Sequence, residues 1–166
     1  MSLKHILQQL PKEAKDKHIE NKKYFVKLKN KPPKHLDYVM QELHDAEFKK
    51  TNCLECANCC KTTGPLFTTI DIDRISKHLR QKPQQFITQY LQIDEESDYV
   101  LQTVPCHFLN EDNTCFIYDV RPKACREFPH TDRKKFNQIT DLTLKNIAIC
   151  PAAFNIVEKM KLKIPL

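Results

Sequence analysis

Four of the eight cysteines in this chain stand within eight residues, in the run Cys53-x2-Cys56-x2-Cys59-Cys60. Gaps of two residues let successive thiolates of one loop turn toward a common centre, and this spacing recurs in zinc and iron–sulfur sites. Buried free cysteines are common in protein cores, but they are normally scattered along the chain. The run therefore predicts a local structure organised around a metal.

The other four cysteines are dispersed, at Cys106, Cys115, Cys125 and Cys150. Zinc sites usually combine two C-x2-C pairs, and the second pair is missing here. The first run is closer to that of bacterial ferredoxins, and Cys150-Pro151 is like the Cys-Pro that closes the ferredoxin pattern, although at a longer spacing. An iron–sulfur cluster is thus slightly favoured over zinc. The spacing does not decide whether the eight cysteines form two four-ligand sites or one site with spare thiols. Because the side chains of adjacent residues tend to diverge, Cys59 and Cys60 are expected to point apart.

The chain has 166 residues and a single glycine, Gly64. Glycine-rich phosphate loops and dinucleotide-binding fingerprints need several glycines at fixed offsets, so both classes of nucleotide site are excluded. No apolar stretch approaches the length of a membrane span, and the N-terminus lacks the apolar core of a signal peptide. We therefore expect a cytoplasmic protein without membrane association, whose cysteines act as ligands or catalysts rather than as disulfides.

The net charge of +6 is unevenly distributed. Residues 1–50 carry 12 lysines against 7 acidic residues, whereas residues 51–166 carry 15 basic against 14 acidic residues. A basic segment can attract an acidic protein or nucleic acid. Because acids are interleaved and aromatics are few, we favour a solvated helix face, keep an acidic protein partner as the alternative, and expect no nucleic-acid partner.

Hydrophobic periodicity and capping residues predict mostly helical structure. Thr68 suits a helix N-cap, with Asp71 and Asp73 in the first turn. Proline at a first helical turn is expected at Pro11, Pro83 and Pro151. The predicted helices cover about residues 11–30, 35–50, 68–80, 82–91 and 150–160, with a helical turn at 123–127.

Extended structure is predicted near the later cysteines, with strands at residues 99–104, 106–109 and 115–118, the last two forming a hairpin. Residues 132–145 are polar and are expected to form a surface excursion. The predicted fold is mostly α (α+β): a small helical domain with a short β-hairpin, cross-linked by a cysteine-ligated metal site. We divide the chain into a basic helical segment, residues 1–50, that packs on the core, and a metal-binding domain, residues 51–166.

Longer motifs surround the cysteines. The first is the segment 53–61, followed by Asp71 and Arg74, and the second comprises segments 105–109 and 115–129. Together they resemble a bacterial cysteine-cluster family described as a zinc- or iron-chelating domain. The resemblance covers about residues 53–129. It implies that the metal ligands are Cys53, Cys56, Cys59, Cys60, Cys106, Cys115 and Cys125, with Cys150 as an eighth.

The sequence departs from the family pattern beside the third cysteine, where many members have a glycine and this chain has Ala57-Asn58. We expect Asn58 to take the left-handed backbone geometry. A related cysteine pattern occurs in flagellin lysine N-methylases, which are much longer proteins.

Charged residues near the cysteines have structural and functional interpretations. Arg121 and Arg126 could offset thiolate charge, but pairing with a carboxylate such as Asp71 or Asp119 is favoured. Two histidines are expected to lie at the surface or behind the ligands, since eight cysteines are available for the metal. These are His107 and His130.

Three functions remain open. The first is a metal- or cluster-binding protein for electron transfer, metal handling or sensing. The second is a metal-dependent enzyme, either a redox enzyme or one resembling the flagellin lysine methylases. The third is a structural zinc module that binds a partner through residues 1–50.

Overall fold

The structure is a computed structural model and describes residues 2–166. Its helices are α1 (Leu3–Asp16), α2 (His18–Asn30), α3 (Leu36–Phe48), α4 (Cys53–Cys56), α5 (Asn58–Thr62), α6 (Thr69–His78), α7 (Pro83–Tyr90), α8 (Lys123–Glu127), α9 (Thr140–Asn146) and α10 (Pro151–Lys163). The strands are β1 (Leu66–Phe67), β2 (Leu91–Ile93) and β3 (Tyr99–Leu101). The predicted fold class, mostly helical with a small β component, is confirmed.

The described chain forms two compact units. The helical unit comprises residues 2–52 and 129–166, and the cysteine unit comprises residues 53–128. Long-range packing of the C-terminal helices with α1–α3 makes the first unit discontinuous in sequence. The division into a basic helical segment, residues 1–50, and a metal-binding domain, residues 51–166, stays a prediction.

In the helical unit, α3 packs along α10. Met40 of α3 and Ile156 and Met160 of α10 are completely buried in a shared core. Burial of such side chains stabilises the fold by about 1.5–3 kcal/mol each. The carboxylate of Asp37 accepts hydrogen bonds from the backbone N–H groups of Lys135 (2.7 Å) and Phe136 (3.0 Å), which fixes the segment that precedes α9.

Two predictions for this unit are wrong. Pro11 does not begin a helix but lies inside α1. Its ring is exposed, whereas Leu10 and Ala14 form the buried face of the helix. Residues 132–145 are not a surface excursion, because Phe136 is fully buried and α9 begins at Thr140. Thr143 is also buried, and its hydroxyl donates to the carbonyl of Ile139, so a polar sequence is compatible with burial.

The cysteine unit combines α6, α7 and a three-stranded antiparallel sheet with strand order β1-β3-β2. As predicted, Thr68 begins α6 through a capping box, in which its hydroxyl accepts the N–H of Asp71 and its own N–H donates to the Asp71 carboxylate. The core of the unit contains Phe67, Ile75, Phe86, Leu101 and Phe108.

The hairpin of this unit joins β2 to β3 across residues 94–98. The hairpin predicted at residues 106–109 and 115–118 is reduced to a single bridge between Leu109 and Cys115. Residues 118–120 instead form a 3₁₀ turn, so the pairing between the two predicted strands does not continue beyond the bridge. Within residues 2–166, no helix has both the length and the apolar character needed to span a membrane.

Candidate metal centre

The first four cysteines lie on two very short helices. Cys53 and Cys56 belong to α4, and Cys59 and Cys60 belong to α5. The turn between them is made by Ala57, whose φ of 45° lies in the left-handed region. The prediction that Asn58 takes this geometry is therefore wrong by one residue. A non-glycine residue in this region destabilises the fold by about 1–2 kcal/mol. The turn between α4 and α5 therefore contains backbone strain at Ala57.

A backbone hydrogen bond connects this segment to the next cysteine. The N–H of Cys106 donates to the carbonyl of Cys60 at 2.7 Å. The bridge between Leu109 and Cys115 then continues the connection, supported by the hydrogen bond from Phe116 N–H to the Phe108 carbonyl at 2.8 Å. Cysteines that are far apart in sequence are thus held together by main-chain contacts.

The sulfur atoms of Cys59 and Cys60 lie 3.9 Å apart. The expectation that these adjacent side chains point apart is therefore wrong. Two thiolates bound to one tetrahedral metal ion, with metal–sulfur bonds of about 2.3 Å, are separated by about 3.8 Å. The observed separation is compatible with two ligands of a single metal ion.

Four cysteine thiols have raised pKa values. Burial raises the pKa of Cys106 to about 11 and that of Cys125 to about 12, and charge repulsion from Cys60 adds to both shifts. Burial, and then repulsion from neighbouring cysteines that include Cys60, also raises the pKa of Cys53 and Cys115. An ionised Cys60 thus disfavours ionisation both of Cys53 in α4 and of the three later cysteines of the unit.

Cys60 itself shifts in the opposite direction. A hydrogen bond with Cys59 lowers the pKa of Cys60 to about 7, against the effect of burial and with help from the charge of Lys61. Cys60 therefore carries thiolate character near neutral pH, whereas Cys106 and Cys125 are protonated there. A cation at this position would favour ionisation of the other thiols, against the burial and the repulsion from Cys60 that raise their pKa values.

Arg121 lies near Cys115 and Cys125, and among residues 2–166 it has no ion pair with the carboxylate partner predicted for it. Its guanidinium stacks over the Tyr118 ring at 3.9 Å and donates to the Tyr118 carbonyl at 2.7 Å. Burial dominates the raised pKa values of Cys115 and Cys125, and the charge of Arg121 opposes both shifts. The contacts of Arg121 are therefore with Tyr118, while its positive charge partly counteracts the raised pKa values of the two thiols.

Asp71 and Arg74 hold the segment that leads to Cys125. Asp71 is 1% exposed, and its carboxylate accepts the guanidinium of Arg74 at 2.6 Å and the N–H of Lys123 at 3.1 Å. Arg74 also donates to the carbonyls of Val120 and Arg121 at 3.2 and 2.9 Å. Burial alone would raise the pKa of Asp71, but hydrogen bonds from Thr68, Arg74 and Lys123 lower it overall. The pair positions the start of α8.

The two histidines beside the cysteine motifs lie in different units. His107 is exposed and packs its ring against Tyr90, at 4.9 Å between centroids. His130 is partly buried and has a positive φ of 65°, in the helical unit. Cys150 also belongs to the helical unit, where it precedes α10 and packs partly against the core. Its role as an eighth ligand stays a prediction.

A threonine–histidine–aspartate arrangement in the helical unit was not anticipated. Nδ1 of His44 lies 2.8 Å from the Thr131 hydroxyl, and Nε2 lies 3.8 Å from the Asp132 carboxylate. Thr131 is completely buried, so its hydroxyl cannot reach a substrate. These contacts anchor α3 to residues 131–132 and do not form a nucleophilic site.

The cysteine thiols fit a metal chemically without forming a finished coordination shell. Among residues 2–166, no three histidine, cysteine, aspartate or glutamate side chains have the mutual geometry of a metal site. The donors that gather near Cys60 are nevertheless all thiols, which suit zinc and iron–sulfur clusters. Side-chain rotations would have to accompany binding, as is usual where metal binding and folding are coupled.

Comparison with known proteins identifies one family. Residues 52–143 match the model of CxxCxxCC, described as a "putative zinc- or iron-chelating domain". No curated protein and no solved structure matches the chain. The matched segment covers more than half of the chain and contains seven of its eight cysteines.

Proposed function

The chain belongs to the CxxCxxCC family of zinc- or iron-chelating domains, and on that premise we propose that its cysteine unit holds a metal centre through thiolates. The family description supports metal binding in general. The proposed ligands are the seven cysteines of this unit: Cys53, Cys56, Cys59, Cys60, Cys106, Cys115 and Cys125. The centre serves electron transfer, metal handling or sensing.

One observation carries this proposal. The sulfurs of Cys59 and Cys60 lie 3.9 Å apart, and the backbone N–H of Cys106 donates to the carbonyl of Cys60 at 2.7 Å, so cysteines that are far apart in sequence gather around Cys60. Ionising several neighbouring, partly buried thiols together is costly unless a cation offsets the charge of the thiolates. A chain that used these cysteines only as small apolar side chains would gain nothing from this gathering.

We favour an iron–sulfur cluster as the metal centre, because the run Cys53-x2-Cys56-x2-Cys59 is closer to the cysteine run of bacterial ferredoxins than to the paired C-x2-C ligands of zinc sites. Zinc is the second candidate. The separation of 3.9 Å between the sulfurs of Cys59 and Cys60 favours it, since that distance suits two ligands of one ion. An iron–sulfur cluster would supply one-electron chemistry, and zinc would supply structural cross-linking.

Metal analysis tests the proposal. The protein is purified anaerobically, and iron, acid-labile sulfide and zinc are quantified per chain while the visible spectrum is recorded. We expect iron with matching sulfide and a brown colour. Stoichiometric zinc without colour would support the second candidate, and a folded protein with neither metal would refute metal binding.

Three variants then identify the ligands. Cys60→Ser is expected to lose more than half of the bound metal, whereas Thr63→Ser, a conservative change just outside the cluster, is expected to retain it. Retention of full metal content by Cys60→Ser would contradict the proposed arrangement. Cys150→Ser decides whether the eighth predicted ligand takes part.

A further inference from the structure

The positive charge of this protein is concentrated in its first 35 residues, which contain ten lysines and three acidic residues. The net charge of the whole chain is +6, so residues 36–166 are close to neutral. The basic segment comprises α1, α2 and the residues up to the start of α3. The excess of positive charge that could attract an acidic partner therefore lies on α1 and α2 of the helical unit.

Helix α2 has a buried side and an opposite side with an unusual pattern. The buried side consists of Asn21, Tyr24, Phe25 and Leu28. On the opposite side, Ile19 and Val26 are 67% and 53% exposed. These two residues are seven positions apart and so lie on one line along the helix.

Lysines flank this apolar line on both sides. At 100° per residue, Lys22 and Lys29 lie on one flank of the line through Ile19 and Val26, and Lys23 lies on the other. We call Ile19, Lys22, Lys23, Val26 and Lys29 together the α2 face. A purely solvated helix face has no need of two exposed β-branched residues at its centre.

The lysines of the α2 face differ in their internal partners. Lys29 forms a surface ion pair with Asp141 at 3.5 Å. Lys22 and Lys23 are exposed, and within the described part of the chain neither pairs with a carboxylate. By contrast, Lys17 at the start of α2 bonds to Glu20 and Glu158. The two lysines nearest the apolar line are thus available to an external anion.

We propose that the α2 face docks an acidic amphipathic segment of a partner protein. Apolar side chains of the partner would cover Ile19 and Val26, and its carboxylates would pair with Lys22 and Lys23. The spacing of Ile19 and Val26 suits contact with another helix, whose apolar anchors recur at the same helical spacing. The proposal is independent of which metal the cysteine unit holds.

Charge complementarity and side-chain type favour a protein over the other anionic partners. Single-stranded nucleic acid needs aromatic side chains for stacking, and the α2 face has none. A helix that lies in a membrane interface presents a wide stripe of large apolar residues, usually with Trp, Phe or Leu. A line of one isoleucine and one valine between lysines suits a small apolar anchor on an acidic helix.

A binding experiment with the whole 166-residue chain, as purified, tests this proposal. The probe is a synthetic acidic helical peptide of about 20 residues, with leucines at heptad spacing flanked by glutamates, followed by fluorescence anisotropy at about 150 mM salt. Lys22→Glu/Lys23→Glu is expected to weaken binding at least tenfold. Lys31→Glu/Lys34→Glu changes the charge equally outside the α2 face and is expected to weaken it at most threefold.

A third variant separates the apolar contribution from charge. Ile19→Ser/Val26→Ser leaves the net charge unchanged and is expected to weaken peptide binding at least fivefold. Absence of binding by the unaltered protein, or equal losses in the two lysine variants, would overturn the proposal. Binding to phosphatidylglycerol vesicles or duplex DNA that depends on the α2 face, and exceeds peptide binding, would overturn it in favour of a membrane or a nucleic acid.

Discussion

Asp71 is an ionised side chain that is almost completely buried in the cysteine unit. It connects the capping box of α6 to Arg74 and to the N–H of Lys123, two residues before Cys125. Its partners lie up to 52 residues away in sequence. One side chain therefore links the helix that follows the first cysteines to the helix that carries a later one.

Asp71→Asn is predicted to destabilise the protein by about 2–4 kcal/mol, because it leaves the partly buried Arg74 without its counter-charge. Asp73→Asn is the matched control, since Asp73 is exposed two residues further along the same helix. Urea denaturation measures the free energy of unfolding of each variant. Equal effects of the two substitutions would show that Asp71 has no special structural role.

At the scale of elements, the sequence predicted helix starts well where the capping residue is local. Thr68, Pro83 and Pro151 begin α6, α7 and α10 as expected, because their effects act within one helical turn. Pro11 was misplaced because the packing of Leu10 and Ala14, which a local rule ignores, stabilises a helix through it.

The predicted hairpin at residues 106–109 and 115–118 failed for a related reason. Apolar residues there suggest strands. Instead, the backbone N–H of Cys106 donates a hydrogen bond to the carbonyl of Cys60, and a 3₁₀ turn begins at Tyr118. The spacing of the first four cysteines indicated a metal site, whereas the later candidate ligands came from the resemblance to the family. The contacts of Asp71 with Lys123 and of Arg121 with Tyr118 depend on tertiary structure, and no local pattern announces them.

Pro11→Ala is predicted to stabilise the protein by about 1–3 kcal/mol. Proline inside a helix removes a backbone hydrogen-bond donor and destabilises the helix by about 3 kcal/mol relative to alanine. Part of this loss is offset because proline also lowers the conformational entropy of the unfolded chain. Pro32→Ala, outside any helix, is the control and should not stabilise. Thermal or urea unfolding provides the comparison, and unchanged stability of Pro11→Ala would argue against the uninterrupted helix α1.

Glu47 connects α3 to α10 and makes that contact sensitive to acid. Its buried carboxylate accepts hydrogen bonds from Asn155 at 2.9 Å and Lys159 at 2.5 Å. Burial by itself raises the pKa of Glu47, but hydrogen bonds from Lys159 and Asn155 outweigh it, so the folded-state pKa is lowered. The contribution is therefore complete above the unfolded pKa and is lost as the pH falls through the folded pKa.

Between about pH 6 and pH 3, the unaltered protein is predicted to lose about 1–3 kcal/mol more stability than Glu47→Gln, which lacks the ionisable group. Glu42→Gln is the control, because the exposed Glu42 makes only a surface ion pair with Lys163. Denaturant unfolding at each pH measures the differences. Acid release of metal affects all three proteins alike, so parallel pH profiles would contradict the role of Glu47.

At the scale of the whole molecule, regular structure is unevenly distributed between the two units. The helical unit contains the long helices α1, α2, α3 and α10. In the cysteine unit, residues 53–62 and 106–127 have only short helices, a 3₁₀ turn and one isolated bridge. Thiolate–metal bonds between these two segments would replace the missing secondary structure as the source of order.

Removal of the metal by an anaerobic chelator is predicted to increase amide hydrogen exchange mainly in residues 53–62 and 106–127. The core of the helical unit, including α10, is expected to keep its protection, because apolar burial rather than metal stabilises it. Hydrogen exchange followed by mass spectrometry of the metal-loaded and metal-free protein resolves both regions. Uniform loss of protection along the chain would show that the two units do not differ in their dependence on metal.

The most direct test of the central claim, that cysteine thiolates hold the metal, is X-ray absorption spectroscopy of the anaerobically purified protein at the edge of its bound metal. A first coordination shell of sulfur alone, at about 2.3 Å, is predicted for either zinc or an iron–sulfur cluster. A first shell dominated by nitrogen or oxygen at about 2.0–2.2 Å would contradict the claim, because the metal would then be bound away from the cysteines.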